Sequence, residues 1–135
     1  MFTQSDLHLL ARSFTELFET QGHIESWAID LSWDIIARFA LPERMPPDFV
    51  RDFANVAREE GSHFSLLAAR LEELGAKYGD FQAHDGLWES AMKTAGSLPA
   101  RLAIEHMVHE ARVRQTTHTI IIIIINRCCF FSSCW

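Results

Sequence analysis

The chain has 135 residues, of which 48% are hydrophobic, and it carries a formal net charge of −6 at pH 7. This length suits one domain with a hydrophobic core, and the composition is globular rather than disordered. A negative charge without a basic stripe argues against nucleic acid as a partner. The N-terminal M-F-T-Q-S-D-L-H lacks the regions of a signal peptide, and no apolar run reaches the roughly 18 residues of a membrane span. We therefore expect a cytoplasmic protein with no membrane partner.

A first long helix is predicted over about residues 5–39. Ser5 and Asp6 offer an N-cap and a first-turn acid. From Phe14 to Ile35, apolar residues recur at steps of three and four, which is the helical period. The following L-P-E-R-M-P-P ends the helix, because proline cannot continue it.

A second long helix is predicted to begin at Pro47 and to run to Leu74. Pro47 suits a first turn, and Gly75 is a natural C-terminal stop. No strand-like alternation occurs before six consecutive isoleucines near the end of the chain. The sequence therefore predicts an all-α, antiparallel helical bundle. The remaining predicted elements are a loop over 75–86, a short helix over 87–94 and a third long segment over 98–114.

A carboxylate lies within the apolar stripe of the second helix. Glu60 continues a seven-residue row that begins at Phe53, whereas Glu59, about 100° away, is predicted to face outward. His63 follows Glu60 at i+3 on the same face. A buried ionised carboxylate needs a partner. The Glu-x-x-His spacing leaves three partners open: a metal ion, His63 itself, or an arginine such as Arg58.

The first helix carries a second acid on an apolar face, Glu25, in line with Phe18. His23 is about 200° away on a polar stripe, so we expect it to be solvated rather than a ligand. If the hairpin folds at the midpoint of its connection, Glu25 and Glu60 lie about 17 to 18 residues from the fold and at nearly the same height. Two inward carboxylates and a histidine at one level of a bundle resemble half of a di-metal carboxylate site.

The third segment, R-L-A-I-E-H-M-V-H-E-A-R, offers two further acids. Glu110 lies in an apolar row with Met107, and Glu105 lies in a row with Leu102 and is placed to pair with His109. Helical periodicity does not decide between the two glutamates.

Four segments of the chain form a recognisable set: G-H-I-E-S-W-A-I-D-L, A-R-E-E-G-S-H-F, L-G-A-K-Y-G-D-F-Q-A-H-D-G-L-W-E and V-H-E-A-R. Together they resemble an uncharacterised bacterial family of ferritin-like domains of unknown function. The resemblance covers about residues 5–112.

This resemblance implies a ferritin-like four-helix bundle that holds two iron or manganese ions. The superfamily pattern is one Glu from each of two helices and a Glu-x-x-His from each of the other two. By position, it implies Glu25, Glu60, His63 and Glu110 as metal ligands, and so prefers Glu110 over Glu105. It also implies a non-haem di-metal oxidoreductase, of the oxidase or hydroxylase class, without defining a substrate.

The sequence departs from this pattern after Arg112. No second Glu-x-x-His follows Glu110, and the three cysteines, all within the last eight residues, match no zinc or redox spacing. The isoleucine run favours β structure and aggregation. We interpret residues 1–112 as a partial, incomplete ferritin-like domain and residues 113–135 as a truncated or frame-shifted tail. In the alternative, this tail covers the bundle face that the missing helix leaves open.

Two functions follow from the sequence. The first is a ferritin-like metal-binding protein of the di-iron carboxylate class, with iron or manganese at a partial site and impaired because the second Glu-x-x-His is absent. A homodimer whose second chain supplies the missing helix face would restore that site. The second is a non-catalytic helical module, in which the buried acids pair internally or with arginines such as Arg58 and Arg112. Iron storage is less favoured, since nothing marks a shell-forming subunit.

Overall fold

The structure of the protein, a computed structural model, describes residues 3–82 and 85–109. Across these two ranges the regular elements are all helical, which confirms the all-α prediction for this part of the chain. The elements are α1 (Gln4–Phe39), α2 (Pro47–Glu73), α3 (Gly86–Lys93), α4 (Leu98–Ala103) and a π-helix (Ile104–His109).

The N-cap of helix α1 lies two residues earlier than the sequence predicted. Thr3, rather than Ser5, is the N-cap. The backbone N–H of Asp6 donates to Thr3 Oγ1 (3.3 Å), and the backbone N–H of Thr3 donates to Asp6 Oδ2 (2.8 Å). This reciprocal capping box satisfies two donors that a helix start otherwise leaves open, which is why it defines the helix start.

Helix α2 begins and ends as its sequence predicted to within one residue. Pro47 is its first residue, where the missing N–H of proline costs nothing. Leu74 is the C-cap, and Gly75 follows with φ of 81°, the left-handed conformation that glycine adopts without strain.

The two long helices form a hairpin that is joined by residues 40–46 and whose helices pack against each other. Its core is narrow, because only one stripe of each helix is buried, and polar side chains such as Gln21 and Ser32 are buried beside the apolar ones. Among the side chains that the structure describes in the hairpin, the buried apolar ones are Leu31, Ile35 and Phe39 from α1 and Ala57 and Leu71 from α2. Burying a leucine, isoleucine or phenylalanine side chain contributes roughly 1.5–3 kcal/mol, and this burial is the main stabilisation that holds the hairpin together.

The segment after α2 returns across α1 and is hydrogen-bonded to it. The backbone N–H of Gly79 donates to Glu19 Oε1 (2.5 Å), and the Tyr78 hydroxyl lies 3.0 Å from His23 Nδ1. The Tyr78 ring also packs edge-on against Phe64 of α2, with 4.8 Å between ring centroids. His23 is therefore partly covered, and the expectation that it is solvated was wrong, because this return segment lies over its helix face.

The chain divides into two compact units, residues 1–92 and 93–135. In the described part of the second unit, the Ser97 side chain caps α4, and the fully buried Arg101 donates from Nε to Thr94 Oγ1 (2.8 Å). The third long segment, predicted over 98–114, is α-helical only to Ala103 and then becomes a π-helix. Its predicted end lies outside the described residues.

Among the described helices, none combines the length and the apolar character that a membrane crossing requires.

The hairpin core gives a direct stability test within one helix. Leu71 is fully buried in α2, whereas Leu66 is 71% exposed. We expect Leu71→Ala to lower the free energy of unfolding by about 3 kcal/mol, because it removes buried apolar surface and leaves a cavity. Leu66→Ala, with the same change in helix propensity, should change it by no more than about 0.5 kcal/mol. Urea unfolding of both variants measures the difference, and equal losses would contradict the described core.

Candidate metal centre

Three side chains from the hairpin lie together at one level between α1 and α2. Glu25 comes from α1, and Glu60 and His63 come from α2, at i and i+3 on one face. Each offers one ligand atom, and these atoms all lie within 4.8 Å of one another. His63 Nδ1 lies 3.0 Å from Glu60 Oε2 and 3.7 Å from Glu25 Oε2. Counting residues from the hairpin connection predicted that the two carboxylates lie at the same height along the helices, and they lie together in the structure.

The two carboxylates are more enclosed than the imidazole. The side chains of Glu25 and Glu60 are 14% and 15% exposed, whereas that of His63 is 56% exposed. The cluster is therefore reached from solvent on the side of His63. Glu59, one residue before Glu60, is exposed and interacts with Arg58 at the surface (3.4 Å), as its position off the apolar row predicted.

Enclosure next to a second acid changes the protonation of Glu60. Burial, and then the hydrogen bond and charge of Glu25, raise the pKa of Glu60 to about 7, against the opposing effect of His63. The hydrogen bond to Glu60 raises the pKa of His63, and burial opposes it. Near neutral pH, this small cluster therefore holds more protons than the same side chains would in water.

A fourth polar residue, Gln21, is part of the cluster and was not predicted from the sequence. It is buried in α1, one turn before Glu25, and its Nε2 donates to Glu25 Oε1 (2.9 Å). Its spacing from Glu25 could have indicated this contact, because residues at i and i+4 on a helix lie side by side. Gln21 occupies one oxygen of Glu25, while the other oxygen, Oε2, is the one near His63.

The three predicted ligands that the structure describes fit one divalent metal ion. Carboxylate oxygens and imidazole nitrogens bind transition ions at about 2.0–2.2 Å, so two ligand atoms on one ion lie roughly 3–4.4 Å apart. Two of the three separations, 3.0 and 3.7 Å from His63 Nδ1, fall in this range, and the third, between the two carboxylates, is at most 4.8 Å. The donor set of two oxygens and one nitrogen is typical of iron, manganese and zinc sites.

The fourth predicted ligand, Glu110, lies outside the described residues, so its role stays a prediction. The competing acid, Glu105, belongs to the π-helix of the second unit and is buried there. π-Helical turns shift the register of side chains along a helix. The apolar rows that were predicted for Glu105 and Glu110 assumed the α-helical period, so they do not apply to this segment.

The arginine alternative finds no support in the described ion pairs. Arg58 interacts with Glu59 at the surface rather than with Glu60. Arg112, the other arginine considered, lies outside the described residues. Within the described part of the chain, the contacts of Glu60 that the structure shows are to His63 and Glu25.

The fold and the cluster together define a helical protein with an acid-and-histidine centre between two antiparallel helices. The particular family is given by comparison with known proteins. Residues 10–124 match the family described as "Protein of unknown function (DUF455)", and the chain belongs to this family. The match runs beyond Arg112 to residue 124 and so includes part of the segment that the sequence analysis assigned to a tail.

The chain is also similar to an uncharacterized protein of Haemophilus influenzae (strain ATCC 51907 / DSM 11121 / KW20 / Rd). The two are 47% identical over 97 residues, which is 67% of this chain and 33% of the relative. The chain therefore spans about one third of the length of that relative. No solved structure matches the chain.

The protonation of Glu60 predicts a pH dependence of stability without metal. Its folded pKa of about 7 exceeds the reference value of 4.5, so the folded state holds more protons between these values. The Glu60 contribution to the unfolding free energy is thus favourable at low pH and is lost as pH rises from about 4.5 to about 7. The raised pKa of His63 acts in the same direction above pH 6.5.

We therefore expect Glu60→Gln to stabilise the metal-free protein relative to wild type by about 2 kcal/mol at pH 8 and to have little effect at pH 4.5. Chemical unfolding across this pH range measures the difference between the two proteins. Glu59→Gln, at the exposed neighbouring position, is the matched control and should follow wild type at every pH. A Glu60→Gln curve parallel to wild type would contradict this assignment.

Proposed function

We propose that this chain is a ferritin-like metal-binding protein of the di-iron carboxylate class, which uses iron or manganese. The observation that carries the proposal is the meeting of Glu25, Glu60 and His63 between two helices, with their ligand atoms within 4.8 Å. Half of the superfamily's pattern is one Glu and one Glu-x-x-His on a helical hairpin. The three described residues supply that half.

Each of the three side chains has a definite role in metal binding. Glu60 binds as a carboxylate, so the proton that burial favours near neutral pH must leave. His63 binds through Nδ1, the nitrogen nearest both carboxylates. Glu25 binds through Oε2, since Gln21 occupies Oε1. When bound, an iron or manganese pair of this class supplies oxidation chemistry with dioxygen.

The proposed activity is limited by the number of ligands. Glu110 is the proposed fourth ligand, and the sequence contains no second Glu-x-x-His after it. A complete two-metal centre would need two more ligands. We therefore propose weak binding of one ion and impaired oxidase or hydroxylase chemistry in this chain alone. In a homodimer, the second chain would supply the missing helix face.

A second function, a non-catalytic helical module, is favoured by one specific observation. Glu60 lies 3.0 Å from His63 Nδ1, and Glu25 accepts a hydrogen bond from Gln21. These contacts partly satisfy the enclosed acids without an ion. In this function the cluster would only specify how α1 and α2 pack, and the acids would bind no metal with useful affinity.

Metal titration distinguishes the two functions. We expect the purified metal-free protein to bind Mn(II) at one site per chain, and Glu60→Gln to weaken binding at least tenfold by removing a carboxylate ligand. Glu59→Gln should bind as wild type does. Free Mn(II), measured by its electron paramagnetic resonance signal during the titration, gives the dissociation constants. Equal binding by all three proteins, or binding by none, would reject the metal site and favour the module.

A further inference from the structure

Gln21 makes a contact that is directed at the proposed site. Its side chain is buried, with only 8% of the residue exposed, yet it carries a polar amide. The amide Nε2 donates to Glu25 Oε1 at 2.9 Å. The opposite oxygen, Glu25 Oε2, lies 3.7 Å from His63 Nδ1. The two oxygens of one carboxylate therefore have different partners.

We infer that Gln21 is a positioning residue that restricts Glu25 to one ligand oxygen and thereby makes the site favour transition ions such as Mn(II) over calcium. This inference rests on the proposed metal-binding function and adds the selectivity of that site. The amide nitrogen of Gln21 is not a ligand, because it carries only donors and is directed at Glu25.

The restriction follows from the hydrogen-bonding capacity of the carboxylate. Bidentate binding requires both oxygens of Glu25 to face one ion. Rotating the carboxyl group until both oxygens face one ion would move Oε1 away from the position in which it accepts this hydrogen bond, and a buried amide donor left without a partner is costly. While Gln21 is present, Glu25 therefore offers Oε2 more readily than Oε1.

One ligand oxygen from this carboxylate discriminates between metal ions. Calcium takes six to eight oxygen ligands, often with bidentate carboxylates. Transition ions accept fewer ligands and bind imidazole nitrogen well. A set made of Glu25 Oε2, a Glu60 oxygen and His63 Nδ1 therefore suits Mn(II) or Fe(II) better than calcium. Releasing Glu25 Oε1 would make the set richer in oxygen and reduce that preference.

The test compares Mn(II) and calcium binding in variants of Gln21. Gln21→Met has a similar size but no donor, and we expect it to weaken Mn(II) binding about tenfold, as loss of a residue that orients a ligand does. Calcium binding should be unchanged or tighter, so the Mn(II)-to-calcium affinity ratio falls about tenfold or more. Gln21→Asn keeps the amide but is one methylene shorter, and it should lower the ratio in the same direction. Gln82→Met, at an exposed glutamine, is the matched control and should leave both affinities unchanged.

The outcomes separate this inference from the proposed function. A purely structural role of Gln21 would lower the melting temperature and both affinities together, and an unchanged ratio in both Gln21 variants overturns the inference. If Glu60→Gln weakens Mn(II) binding while the Gln21 variants keep the ratio, the metal site stands and the role of Gln21 falls. If wild type binds no Mn(II), both fall.

Discussion

The centre of this protein depends on one constraint, which is that two acids are enclosed at the same depth of a helical hairpin. Glu25 and Glu60 are each about 85% covered and lie close enough to share a hydrogen bond. Two ionised carboxylates in such a place repel each other and lose their hydration, so some positive charge must accompany them. Without an ion, His63 and the amide of Gln21 contact the two acids, and the raised pKa of Glu60 favours a proton there near neutral pH. A bound cation would replace or reorganise these partners.

At the proposed metal site, a proton and a cation would compete for the same carboxylate oxygens. A site that holds protons near neutral pH binds metal more weakly in acid than a site of ordinary carboxylates would. The side of the cluster formed by His63 is the part most open to solvent. Membership of a family of unknown function does not define the chemistry, so the donor atoms themselves are the main guide to it.

The sequence predicted the elements that local patterns define. Proline at the start of α2, glycine at its end and counting along the hairpin placed Glu25 and Glu60 at one level. The sequence did not predict contacts that depend on the return of a distant segment. Nothing local to His23 indicated that Tyr78, 55 residues later, would cover it. The π-helix was missed for a different reason. Its wider turn leaves no signature in a pattern that is read at 3.6 residues per turn.

The two hydrogen bonds between α1 and the segment after α2 have a consequence for the stability of that segment. They join positions 55 and 60 residues apart, and they tie the middle of α1, at His23 and Glu19, to Tyr78 and Gly79. Once α1 and α2 have paired, the loop that these contacts close is short, so its entropic cost is small. Because the amide proton of Gly79 is held by Glu19, we expect its exchange with solvent to require release of this segment from α1.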